Sequence, residues 1–118
     1  MSGSNLAFEA DAKDILNALA KVQGLNKSVE CLDSERRTFL LGRKASVVVI
    51  GTTTDSFAMA EIIGAEVSEQ GLVQLDADAF TTMLKKRNMV KVFSNESELI
   101  IRATSGSKYE AKLLQLVS

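Results

Sequence analysis

The chain has 118 residues, 46% hydrophobic and 25% charged, with a net charge of −1. That length suits one ordinary domain, and the near-neutral charge leaves any nucleic-acid contact to the local placement of cations. Histidine is absent and Cys31 is the only cysteine, which removes the commonest general base, most zinc ligand sets and any internal disulfide.

In chain order, Met1-Ser2-Gly3-Ser4 is small and polar, lacks a signal-peptide core and reads as a disordered start or a cloning remnant. Residues 5–10 alternate Leu6 and Phe8 with Ala7 and Glu9, as a strand does. Asp11 is placed to cap a helix running to about Gln23. Its apolar arc is Ala12, Ile15, Leu16, Leu19 and Val22, and Lys13, Asn17 and Lys21 form a stripe on the other side. Gly24 is expected to end it. Strand candidates follow at 29–41, interrupted by the charged turn 33–37, and at 46–52, where Val47-Val48-Val49-Ile50 suggests burial on both faces. No uninterrupted apolar stretch is longer than that run, which is far too short to span a bilayer. The run 57–67 reads as one long strand in which Gly64 could mark a bend.

The pattern then begins again, 65 residues on. Phe8-Glu9-Ala10-Asp11-Ala12 is echoed by Val73-Gln74-Leu75-Asp76-Ala77, and Ile15, Ala18 and Leu19 are echoed by Phe80, Met83 and Leu84. Asp76 caps a second helix, 77–86, which is expected to stop before Arg87 because that position would return to the apolar side. Strands at 89–94, 98–104 and 108–114 complete the unit, joined by turns at 95–97 and 105–107. The fold class is therefore α+β: a duplicated β-α-β-β-β unit, with repeats at about 5–67 and 71–115 in a single domain spanning 5–118. Its two helices would pack on antiparallel sheet.

Catalytic constellations are missing. Cys31 lacks a histidine partner and reads as a small apolar residue, consistent with a reducing compartment. Asp11, Asp14, Asp76 and Asp78 are explained by helix first turns, and Gly51-Thr52-Thr53-Thr54 lacks the lysine of a phosphate loop. No enzymatic activity, cofactor or metal is expected. What the sequence offers instead is a candidate basic site: Lys13, Asn17, Lys21 and Lys27 from the first unit, Asn17 being its neutral member, and Lys85, Lys86 and Arg87 from the second. If both apolar arcs are buried, these side chains point the same way. Long-stemmed cations of this kind can grip phosphates without reading bases. The plain alternative is an ordinary solvated helix face.

Several stretches resemble the DNA sliding clamps, in particular the first domain of the bacterial polymerase III β subunit. These are 16–24 (Leu-Asn-Ala-Leu-Ala-Lys-Val-Gln-Gly), Val49-Ile50-Gly51-Thr52 with Thr53-Thr54-Asp55, 71–76 (Gly-Leu-Val-Gln-Leu-Asp) with Phe80 and Leu84, and 98–102 (Glu-Leu-Ile-Ile-Arg) with 105–109 (Ser-Gly-Ser-Lys-Tyr). The family's Leu-Pro-Ile-Leu segment is replaced by the charged stretch 33–37, and its Gly-Thr-Asp turn is expanded by threonines. The resemblance implies a DNA clamp domain in a ring of six, with helices lining the channel and sheet outside. It implies a processivity factor in DNA replication that encircles duplex DNA without sequence preference, in the cytoplasm of a bacterium or of a virus's host. The implied partners are double-stranded DNA, a DNA polymerase, a clamp loader, and other clamp domains or copies of the chain. Carried over residue by residue, Lys13, Asn17, Lys21 and Lys27 fall on or after the first inner helix, and Lys85, Lys86 and Arg87 at the end of the second. A second reading is a protein–protein interaction module of similar architecture with no DNA contact.

Overall fold

The structure is a computed structural model and describes residues 5–27, 36–54, 56–103 and 111–116. The first half comprises β1 (Ala7–Asp11), α1 (Ala12–Lys27), β2 (Arg37–Gly42), β3 (Val47–Thr52), β4 (Phe57–Ile62) and β5 (Glu66–Glu69). The second half comprises β6 (Gly71–Leu75), α2 (Ala77–Leu84), β7 (Met89–Ser94), β8 (Glu98–Ala103) and β9 (Ala111–Gln115). The expected strand at 29–32, the turn 33–35, Cys31 and the turn 105–107 lie outside the described residues.

The strands form two antiparallel sheets, ordered β5-β1-β7-β8-β9 and β4-β3-β2-β6. Each half lends its first strand to the other. β1 pairs with β7, while β6 pairs with β2. The duplicated plan is thus interlocked, each sheet containing strands of both halves. Between the sheets and helices lies one core built from Phe8, Ile15, Leu19, Leu40, Phe80 and Ile101, each at most 1% exposed.

The helices form where the apolar spacing put them. On α1, Ala12, Ile15, Leu19 and Val22 are buried, Leu16 is half-buried, and Ala18 joins them in the core. The two starts are capped alike. Asp11 Oδ1 accepts from the Lys13 amide at 2.9 Å, and Asp76 Oδ1 accepts from the amides of Asp78 and Ala79 at 2.9 and 3.2 Å.

The ends differ from expectation. α1 does not stop at Gly24 but continues to Lys27. A glycine inside a helix costs about 1 kcal/mol, too little to end one whose buried arc is already seated. α2 stops at Leu84, two residues earlier than expected. Lys85 leaves the helix at φ −60, ψ 138, Lys86 takes φ 65, and the Arg87 amide donates to Leu84 O at 3.3 Å. Those values describe a type II turn over 84–87, with Lys86 at the position glycine usually fills.

Two strand expectations also change. β3 is not buried on both faces: Val47 and Val49 face the core, while Val48 and Ile50 are half-buried on the other side. The run 57–67 is two strands in different sheets, β4 at the edge of one and β5 at the edge of the other. Gly64, at φ 75, makes the turn between them.

Candidate nucleic-acid interface

The strand exchange fixes how the helices lie. Because β1 pairs with β7 as Asp11↔Met89, the start of α1 adjoins the exit of α2. The ladder continues one step beyond the strands, with the Ala12 amide donating to Asn88 O at 2.8 Å. At the other end, β6 pairs with β2 as Thr38↔Leu75, which sets the start of α2 beside the strand that follows α1. There Gln23 Nε2 donates to Asp78 Oδ1 at 3.2 Å. Two contacts at opposite ends make α1 and α2 an antiparallel pair.

This arrangement sorts the candidate residues. Lys13, in the first turn of α1, is exposed and shares one end of the helix pair with the turn that carries the exposed Lys85 and Lys86. Arg87 sits in the same segment but is half-buried. Its Nε donates to Met83 O at 2.8 Å, so it closes the last turn of α2 and is less available to a ligand than its neighbours. Asn17 and Lys21 are exposed further along α1, with Lys21 about 12 Å from Lys13 at 1.5 Å per residue. Lys27 is the last residue of α1; its side chain lies outside the described residues.

Carboxylates interleave with these cations. Asp11 is spent on its cap, and Asp78 holds Gln23. Asp76 likewise accepts two amides. Asp11 and Asp14 flank Lys13 at one end of the helix pair, and Asp76 and Asp78 lie at the other, so acidic groups accompany the cations at both ends. Neither Gln23 nor Asn88 was marked by the sequence reading, since each acts through a partner remote in sequence (Asp78 and Ala12).

The surface suits weak, repeated contacts to a polyanion: separated, exposed ammonium groups on long stems. Among the described residues, no group of three or more His, Cys, Asp or Glu side chains could hold a metal ion. Among those residues, no helix is long and apolar enough to cross a membrane.

No protein-family model and no curated protein matches the sequence. Solved structures do match in fold. A domain-length part of the C. crescentus beta sliding clamp superposes with a TM-score of 0.76 at 16% identity, covering 98% of this chain and 31% of the clamp chain. The Bacillus subtilis DNA polymerase sliding clamp gives 0.71 at 17% identity over 97% and 32%. DNA polymerase III subunit beta from Borrelia burgdorferi gives 0.70 at 11% identity over 100% and 31%. The chain therefore has the fold of a sliding-clamp domain, α+β with two helices on antiparallel sheet. It spans about a third of the length of these bacterial clamp chains, and it is similar in particular to a domain of the polymerase III beta clamps.

Proposed function

We propose that this chain is a processivity-clamp domain, non-enzymatic, which helps form a ring around duplex DNA. The single observation that supports this most is the antiparallel helix pair, held by reciprocal strand exchange, with Lys13, Asn17, Lys21, Lys85 and Lys86 exposed on a fold shared with bacterial sliding clamps over nearly the whole chain. In that role the helices face the DNA. Lysines touch phosphate oxygens briefly and without reading sequence, and sliding needs each contact to be weak. Encirclement supplies the retention that no single contact provides. Ring closure would use sheet edges, for which β4 and β9, each at one edge of its sheet, are the candidates. The partners of such a ring are duplex DNA, a DNA polymerase and a clamp loader, and its compartment is the cytoplasm.

Retention on closed DNA tests the reading. Protein assembled on a nicked circular plasmid is washed in moderate salt, and the plasmid is then cut once. Encirclement predicts stable retention on the circle and rapid loss after cutting. Equal retention before and after cutting would refute encirclement. No retention in either form would favour the interaction module that does not contact DNA.

A further inference from the structure

The two sheets treat their outward faces differently. In the β4-β3-β2-β6 sheet, side chains of one parity, among them Leu40, Val49, Ile62 and Val73, enter the core. The other parity faces away from the helices, and it is also apolar. One cross-strand row reads Gln74, Phe39, Ile50, Met59; the next reads Leu72, Leu41, Val48, Glu61. Phe57 extends the patch along β4. Phe57 is 70% exposed, Met59 57% and Leu72 46%. The other sheet mixes its outward residues: one row carries Glu9, Lys91 and Arg102, the next carries Ala7, Phe93 and Ile100, and the Arg102 guanidinium lies 5.4 Å from the Phe93 ring centroid. An antiparallel sheet with one solvated face normally alternates apolar with polar. Here a sheet already covered by α1 on one side is apolar on both, which is the pattern of a sheet covered twice.

Size and charge together select the occupant. Four strands about 4.8 Å apart and six residues at about 3.3 Å give a face of roughly 300–400 Å². A second copy laid face to face with its strands aligned would set Arg37, Arg43 and Lys44 of one copy against the same cations of the other. One helix of three to four turns, about 10 Å wide and 15–20 Å long, laid along β2 would cover Phe39 and Leu41 with their neighbours on β3 and β6. The ends of the patch are basic: exposed Arg37 at the start of β2, and exposed Arg43 and Lys44 in the turn after it. Glu61 is the only acid in the two rows. We infer that this face docks an amphipathic helical segment of a partner protein, with an apolar stripe flanked at both ends by acidic residues. The face lies on the far side of the sheet from the helix pair, so it stays open whether or not DNA occupies the other side. The inference does not depend on the clamp reading.

The test uses a labelled 18-residue synthetic helix with leucines at i, i+3, i+4 and i+7 spacing and glutamates at both ends. The same peptide with lysines replacing the glutamates is the comparison. Titrated with the whole chain, the acidic peptide should bind at least tenfold more tightly, and Met59→Glu should weaken it at least tenfold. Circular dichroism verifies the fold of the variant, and Met59→Ser, expected to give a smaller loss in the same direction, serves if the charged variant unfolds. Equal affinities, no binding of either peptide, or binding indifferent to both Met59 variants would overturn the inference. So would sedimentation showing a dimer that Met59→Glu dissolves, since a second copy would then be the occupant.

Discussion

Replacing Lys13, Lys85 and Lys86 together by alanine removes three exposed ammonium groups from one end of the antiparallel helix pair. Among the described residues none of the three has a side-chain bond on which the fold depends, so stability should change by no more than about 0.5 kcal/mol for each site. The effect on DNA should be large and of a particular form. Each phosphate contact contributes about 0.9 to the slope of log K against log salt, so losing three should flatten the slope by about 2.7. Between 50 and 200 mM salt, the wild type should then lose roughly 40-fold more affinity than the variant. Fluorescence anisotropy of a labelled duplex across that salt range measures both slopes. A matched control replaces Arg43, Lys44 and Lys91, three exposed cations on the sheet side, and should leave the slope unchanged. An unchanged slope in the helix-end variant, or an equal flattening in the control, would refute the assignment of the helix pair to DNA.

Other consequences are local. Lys86 holds φ 65 at the glycine-preferring position of a type II turn, so Lys86→Gly should raise stability by about 0.5–1 kcal/mol while weakening DNA binding; denaturant melts and anisotropy read the two effects separately. Asp76→Ala removes the acceptor for two amides at the start of α2 and should destabilise by about 1 kcal/mol, visible as a lower urea midpoint. Ser94 Oγ accepts from the buried Leu6 amide at 2.8 Å, and Ser94→Ala should cost about 1–3 kcal/mol in the same assay by leaving that donor unpaired. A Cβ on Gly42 would collide with Leu6 Cδ1, and Leu6 is fully buried. Gly42→Ala should therefore cost about 1–3 kcal/mol, and part of the loss should be recovered when Leu6→Ala makes room.

The sequence revealed elements better than it revealed their relations. Asp11 and Asp76 announced both helix starts because a carboxylate before an apolar periodic run has one common use there. The inward residues of α1 were legible for the same kind of reason: a period of 3.6 is hard to produce by accident over 11 residues. Helix ends were harder. Gly24 looked like a terminator, yet a glycine penalty of about 1 kcal/mol is small beside a seated apolar face. Lys85 and Lys86 looked helical because a lysine in a left-handed turn leaves no compositional mark. Alternation in a strand shows which side chains share a face but not which strand lies alongside. The exchange of β1 and β6 between halves therefore could not be read from it, nor could the antiparallel helix pairing that follows. That pairing is what sets Lys13 beside Lys85 and Lys86. The apolar outer face of the β4-β3-β2-β6 sheet stayed hidden because Val47 to Ile50 reads as a doubly buried strand until its neighbours are known.

The central claim, that the helix pair and not the sheets faces duplex DNA, is tested most directly by proximity. In a Cys31→Ser background, a benzophenone is attached at Asn17→Cys on α1 or at Lys91→Cys on the outer face of the other sheet, and each protein is irradiated with a labelled circular duplex. The account predicts strong crosslinking from position 17 and little from position 91. Equal yields, or crosslinks confined to position 91, would contradict it.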